Sequence, residues 1–111
     1  MTLSELADVL QLETLCAGNS DTSVTGGYTS DLLSDVMAHA PEGSVLITIQ
    51  AHRNTVAVAV LAGVPAVILC HKRPAPEDML DAARKEGIAL LRTTQDQFTV
   101  SYRLARALGI D

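Results

Sequence analysis

Three short clusters hold the residues best suited to recognition chemistry: His52-Arg53-Asn54, His71-Lys72-Arg73 and Arg92-Thr93-Thr94. Each joins a cation to further hydrogen-bond donors, the combination that holds phosphate or carboxylate groups. A fourth segment, Thr25-Gly26-Gly27, offers consecutive backbone amides that can form an anion nest. Blander readings compete with both. Arg and Lys populate exposed loops by default, and a glycine pair often serves only a tight turn.

Residues that make or break bonds are harder to find. The chain lacks any Gly-x-x-x-x-Gly-Lys-Ser/Thr run, the loop that cradles a nucleotide's phosphates in phosphoryl transfer. His39, His52 and His71 show no metal-ligand spacing. Asp31 and Asp35 lie one helical turn apart, but no third ligand is near them, and two solvated carboxylates at a helix start are expected from the macrodipole alone. Cys16 and Cys70 form no Cys-x-x-Cys pair and read as small buried hydrophobes rather than a disulfide or zinc site. Cys70 and His71 are neighbours, so on a continuing strand their side chains point to opposite faces and make no catalytic pair. No catalytic residue, metal site or cofactor is therefore assigned.

The chain's make-up agrees with a folded binding module. Its 111 residues are 48% apolar and 19% charged, which excludes a disordered composition and leaves room for one core, so residues 1–111 read as a single domain. No apolar run approaches the roughly 18 residues of a membrane span, and the start lacks the basic region of a secretion signal. A cytoplasmic, membrane-free location is expected. The net charge of −5 argues against nucleic acid as a partner. Residues 1–52 contain no Lys or Arg, so all eight basic side chains fall in residues 53–111, and Arg53, Lys72, Arg73 and Arg92 are half of them.

The elements that must position these clusters follow from periodicity and capping. Thr2 and Glu5 have capping-box spacing before a helix over Leu3–Leu10, and a short strand follows over Leu12–Cys16. After a turn at residues 17–21, Ser30 is placed to cap a helix over Asp31–Ala40, stopped by Pro41. Val45–Ile49 and Ala66–Cys70 read as buried strands about fifteen residues apart. Between them Asn54 can cap and Gly63 can stop a helix; the run Val56–Leu61 also alternates like a strand, but a parallel pair needs a crossover of this length. A helix over Glu77–Glu86, a strand over Ile88–Leu91 and a last helix over Gln95–Leu108 complete the pattern, with Thr94 and Gln97 again at capping-box spacing. Strands alternating with helices predict an α/β three-layer sandwich, with a mostly parallel sheet of four to five strands flanked by helices.

The stretch Val24-Thr25-Gly26-Gly27-Tyr28, followed by Ser30-Asp31-Leu32-Leu33-Ser34-Asp35-Val36-Met37 and the strand Ile47-Thr48-Ile49-Gln50, resembles the DRTGG domain family, particularly its free-standing members in anaerobic bacteria. Ser23 and Val24 stand where the eponymous motif has Asp and Arg, so a role carried by that Arg does not transfer. The family is related to the amino-terminal domain of HPr kinase/phosphorylase and accompanies enzymes such as phosphotransacetylases and CBS-containing pyrophosphatases. The resemblance implies a regulatory, non-enzymatic domain. For the free-standing members it further implies a place beside hydrogenase or other iron-sulfur systems.

In an open parallel sheet, ligands bind beyond the carboxyl ends of the strands. The three basic clusters are expected there, joined by Thr25-Gly26-Gly27, as a rim that senses a nucleotide or other anionic metabolite. The rival reading is a scaffold that binds a redox-enzyme subunit or kinase with no small molecule. The helix around Val56, Val60 and Leu61 is apolar on every side, which predicts a homodimer interface unless the terminal helices cover it.

Overall fold

The computed structural model describes residues 1–110, and these form one five-stranded sheet between two helical layers. In chain order the elements are α1 (Leu3–Val9), β1 (Glu13–Cys16), β2 (Gly26–Thr29), α2 (Leu33–His39), β3 (Ser44–Thr48), α3 (Arg53–Ala62), β4 (Ala66–Leu69), α4 (Glu77–Glu86), β5 (Ala89–Arg92) and α5 (Gln97–Ala107). The sheet order is β1-β5-β4-β3-β2. Strands β2 to β5 are parallel, and only β1 runs against its neighbour β5.

Alternation along the strands fills both faces of the one sheet, so the hydrophobic core lies in two layers that share it. Val45, Ile47, Ala66, Ile68, Ala89 and Leu91 face α1 and α5, where they meet Leu3, Leu6, Val100 and Leu104. Leu46, Val67, Leu69 and Leu90 face the opposite way and pack on Val36 of α2, Val56 and Ala59 of α3, and Met79 and Ala83 of α4. The central strands are thus buried on both faces, which is why they read as continuous apolar runs rather than as alternating ones. The α/β three-layer sandwich expected from the sequence is the fold observed.

Helix α3 occupies the middle of its layer, between α2 and α4. Its nearly all-round apolar character follows from that position: the sheet lies beneath it and a helix on either side. The terminal helices α1 and α5 do not cover it, because they lie across the sheet. Val56 is fully buried in the core and is removed from the expected dimer surface; Val60 and Leu61 remain exposed, Leu61 at 72%.

Element boundaries moved where side chains found better partners. The Thr2–Glu5 capping box forms as expected. Helix α3 is capped by His52, whose Nδ1 accepts from the Asn54 amide at 3.0 Å, so Asn54 lies inside the helix. Asp96, rather than Thr94, caps α5 by accepting from the Thr99 amide at 2.7 Å. Ser30 accepts from the Leu32 amide at 3.2 Å, and α2 begins only at Leu33. Gly63 and Gly87, both in the left-handed region, close α3 and α4.

Candidate anion-binding edge of the sheet

The parallel registers put Thr48, Leu69 and Arg92 side by side at the carboxyl ends of β3, β4 and β5. The segments that follow these strands carry the three basic clusters, so His52-Arg53-Asn54, His71-Lys72-Arg73 and Arg92-Thr93-Thr94 do come to one margin. Thr25-Gly26-Gly27 does not. Gly26 and Gly27 pair with Ser44 and Val45 at the start of β3, and the Thr25 amide donates to the Gly43 carbonyl, which places all three at the opposite, amino margin. Instead of forming a turn or a nest, the two glycines open the edge strand β2. At the carboxyl margin, the segment after β2 contributes Ser30 and Asp31.

The chain changes faces at this margin. The loop after β4 leads to α4 on one face, while the loop after β5 leads to α5 on the other, which makes the β4–β5 boundary the switch point of the sheet. Backbone bonds tie the two loops together: the Lys72 amide donates to the Thr93 carbonyl at 2.7 Å and the His71 amide to the Gln95 carbonyl at 3.0 Å. His71 and Lys72 hold φ angles of +59° and +52°, which non-glycine residues adopt at a cost of about 1–2 kcal/mol each. That turn leaves His71, Lys72 and Arg73 exposed beside Thr93.

The four expected cations are not equivalent. Arg92 makes a bidentate pair with Glu13 of β1, at 2.9 and 3.0 Å, and its charge is met within the protein. The Arg92 guanidinium holds the Glu13 carboxyl below its ordinary value, with a smaller contribution from nearby Lys72. Arg53, Lys72 and Arg73 are exposed and form no ion pair among the described residues. Arg53 opens α3, a ten-residue helix whose positive end faces this margin. A groove of about 500 Å³ starts at Arg53 and Asn54 and runs between α3 and α4 past Ala57, Val60 and Leu61 to Glu86.

Carboxylates also stand on the margin, and the sequence did not reveal their roles. Asp31 is not a solvated helix-start residue: its Oδ1 accepts from Thr48 Oγ1, the Ile49 amide and Gln97 Nε2, each at 2.9 Å, joining β2, β3 and α5. Gln50 adds a bond from its amide nitrogen to the Asp31 carbonyl at 2.9 Å. The one available signal was Thr48, a polar side chain inside an apolar strand that had to find a partner. Asp35 serves elsewhere. It accepts from Tyr28 at 2.7 Å and contacts His39 at 3.0 Å, and the Tyr28 hydroxyl, with help from Ser30 and His39, keeps its carboxyl below the ordinary range.

Among the described residues no group of three His, Cys, Asp or Glu side chains is arranged to hold a metal ion, and no helix is long and apolar enough to cross a membrane. Cys70 is buried at the end of β4, and burial, reinforced by Asp31 and Asp96, pushes its thiol up to about 11. A thiol with that acidity is protonated at neutral pH and is a poor nucleophile.

The fold recurs in a known structure. A solved structure of the CBS and DRTGG domains of the regulatory region of Clostridium perfringens pyrophosphatase, complexed with its activator diadenosine tetraphosphate, matches 96% of this chain with a TM-score of 0.79 and 18% identity. The chain spans about half of that structure, 47% of its length. No curated protein matches. The DRTGG domain family matches residues 5–107, which hold the whole sheet and all of the helices but the first two residues of α1, and the chain belongs to that family.

Proposed function

We propose that this DRTGG domain is a non-enzymatic, cytoplasmic regulatory module that senses a nucleotide or other anionic metabolite at the carboxyl margin of its sheet. The observation that carries the reading is the meeting of Arg53, at the positive end of α3, with Lys72 and Arg73 at the switch point, all three exposed and without an ion pair among the described residues. Exposed cations beside a helix amino terminus attract phosphate. The nucleotide polyphosphate bound by the pyrophosphatase regulatory region supports the same ligand class. Arg92, satisfied by Glu13, positions β1 rather than the ligand.

The domain works as a homodimer in this reading. Val60 and Leu61 expose apolar surface on α3, and the groove beside them carries Arg53 at one end and Glu86 at the other. A two-fold axis across α3 packs Val60 and Leu61 of one copy on the same residues of the other, which makes the face self-complementary and leaves Arg53 at its edge for the ligand.

Thermal melting with ATP, AMP, diadenosine tetraphosphate and tripolyphosphate tests the sensing role. A ligand at a hundredfold its dissociation constant stabilises by about 2.7 kcal/mol. The double change Lys72→Ala with Arg73→Ala is expected to abolish the shift, and Arg92→Ala to preserve ligand selectivity. If no anion raises the melting temperature, the sensing role fails and a ligand-free scaffold replaces it. Sedimentation of the wild type and of Leu61→Asp tests the dimer, which a monomeric wild type at high concentration overturns.

A further inference from the structure

Helix α5 needs only one face to hold the fold. Val100 and Leu104 are buried, Gln97 reaches Asp31, and Ser101 bonds Thr29 at 2.7 Å. Phe98, Tyr102 and Arg106 follow one another at four-residue spacing on the opposite side. The chain has a single Phe and two Tyr, and yet Phe98 is 80% exposed and Tyr102 50% exposed. Their rings are paired, with centroids 6.0 Å apart. A paired aromatic ridge in water has no role in this chain's own core.

The surroundings extend the ridge into a surface. On one side of Tyr102 a groove of about 240 Å³ is lined by Val9, Leu10, Arg103, Arg106 and Ala107. On the other, a groove of about 490 Å³ is lined by Ala105, Arg106, Gly109 and Ile110. Among the described residues neither groove has a carboxylate in its walls. Arg103 is already fixed: it donates to Gln95 at 2.6 Å and reaches the carbonyls of Val9 and Leu10, the last residues of the α1 turn. Its guanidinium is therefore held in place before any partner arrives.

We propose that this outer face of α5 docks an acidic, apolar-faced helical segment of another protein. Three features favour that occupant. A ridge of four-residue spacing between two grooves is the complement of an amphipathic helix. Tyr and Arg at the centre of an apolar patch are the composition that dominates binding energy at interfaces. Among the described residues the charges that line the two grooves, Arg103 and Arg106, are of one sign, so the face is complementary to acid and not to itself, which argues against a second copy of this chain. The domain's overall charge of −5 does not oppose this at physiological salt, where charges beyond about 8 Å are screened.

Fluorescence anisotropy with two labelled amphipathic helical peptides tests the proposal on the full chain. They share one apolar face; the first flanks it with Glu, the second with Lys. The Glu peptide is expected to bind at least tenfold more tightly than the Lys peptide, with an advantage that shrinks as salt rises. The double change Phe98→Ala with Tyr102→Ala is expected to weaken it tenfold or more, and Arg106→Glu to reverse the preference. These side chains are exposed, so unchanged melting curves establish that the variants fold. Three results overturn the proposal: no preference for the Glu peptide, binding indifferent to the aromatic changes, or a sedimenting dimer that Tyr102→Ala dissociates. Capture by anionic lipid vesicles without peptide binding overturns it as well, in favour of a membrane surface. None of these readouts depends on the nucleotide site.

Discussion

The Asp31 carboxylate accepts from Gln97 across 66 residues of sequence, through the same oxygen that accepts from Thr48 and from the Ile49 amide. One acceptor thus fastens the amino end of α5 to β3 at the margin where ligand is proposed to bind. Replacing Asp31 with Ala leaves a backbone donor and two side-chain donors without their partner. The expected loss is about 2–3 kcal/mol, the range for stranding partly buried donors, measured by urea denaturation. Asp31→Asn keeps an oxygen in place and is expected to lose about half as much. Equal losses for both variants would show that the charge, rather than the acceptor, holds the junction.

The paired glycines of β2 make opposite predictions. A side chain on Gly26 would meet nothing within 4 Å, whereas the Cβ of Gly27→Ala would lie 2.5 Å from Leu104 Cδ2 of α5. Gly27 is small because α5 packs directly on the edge strand. Gly27→Ala is expected to destabilise by about 1–3 kcal/mol through overpacking. Gly26→Ala is expected to be neutral or to stabilise by a few tenths of a kcal/mol, since alanine loses less backbone entropy on folding. Equal effects at both sites would contradict this account of the Thr-Gly-Gly motif.

That motif also marks where sequence reasoning reached its limit. Periodicity located the buried strands because Val45, Ile47, Val67 and Ile68 form apolar runs long enough to have only one use. It located α3 because the spacing between two parallel strands demands a crossover. Strand β2 was hidden: glycine is rare in strands, and a four-residue edge strand with one covered face leaves almost no pattern. A Gly-Gly pair suggests either a tight turn or an anion nest, and the nest reading places it on the basic rim, although pairing with Ser44 and Val45 puts it at the other end of the sheet. The three basic clusters were legible as a group because each directly follows a recognisable strand. The commitment of Arg92 to Glu13 was not, because it depends on β1 crossing to the far edge and running antiparallel, which no local signal encodes. The same holds for Val56: periodicity shows a helix apolar on all sides, but only the packing order of α2, α3 and α4 shows which side stays exposed.

The Glu13–Arg92 pair ties stability to acidity with a definite sign. Arg92 lowers the folded-state pKa of Glu13 below its ordinary value of 4.5, so the unfolded chain binds the proton more readily. The pair's contribution is complete above 4.5 and is lost as pH falls through the depressed folded value. Wild type is therefore expected to melt above Glu13→Gln at pH 7 and to converge with it well below 4.5. The gap at neutral pH is expected to narrow with added salt, because Glu13 is half exposed. A gap that persists undiminished at acid pH would assign the effect to packing of the side chain and not to its charge.

The two cysteines should differ sharply in reactivity. Cys70 is wholly buried at the end of β4, and the loss of hydration that raises its thiol to about 11 is compounded by Asp31 and Asp96, both of which disfavour a thiolate beside them. Cys16, on the edge strand β1, is only half-buried. Alkylation proceeds through the thiolate, so at pH 8 the raised pKa alone slows Cys70 by about two orders of magnitude relative to an ordinary cysteine. Brief treatment of the native protein with iodoacetamide, followed by peptide mass analysis, is expected to label Cys16 and spare Cys70, with both labelled after urea. Asp31→Asn removes one of the nearby negative charges and is expected to speed native labelling of Cys70 modestly. Rapid labelling of Cys70 in the wild type would mean that the β4–β5 boundary opens readily, and the backbone bonds from His71 and Lys72 to the β5 loop would then not close the switch point in solution.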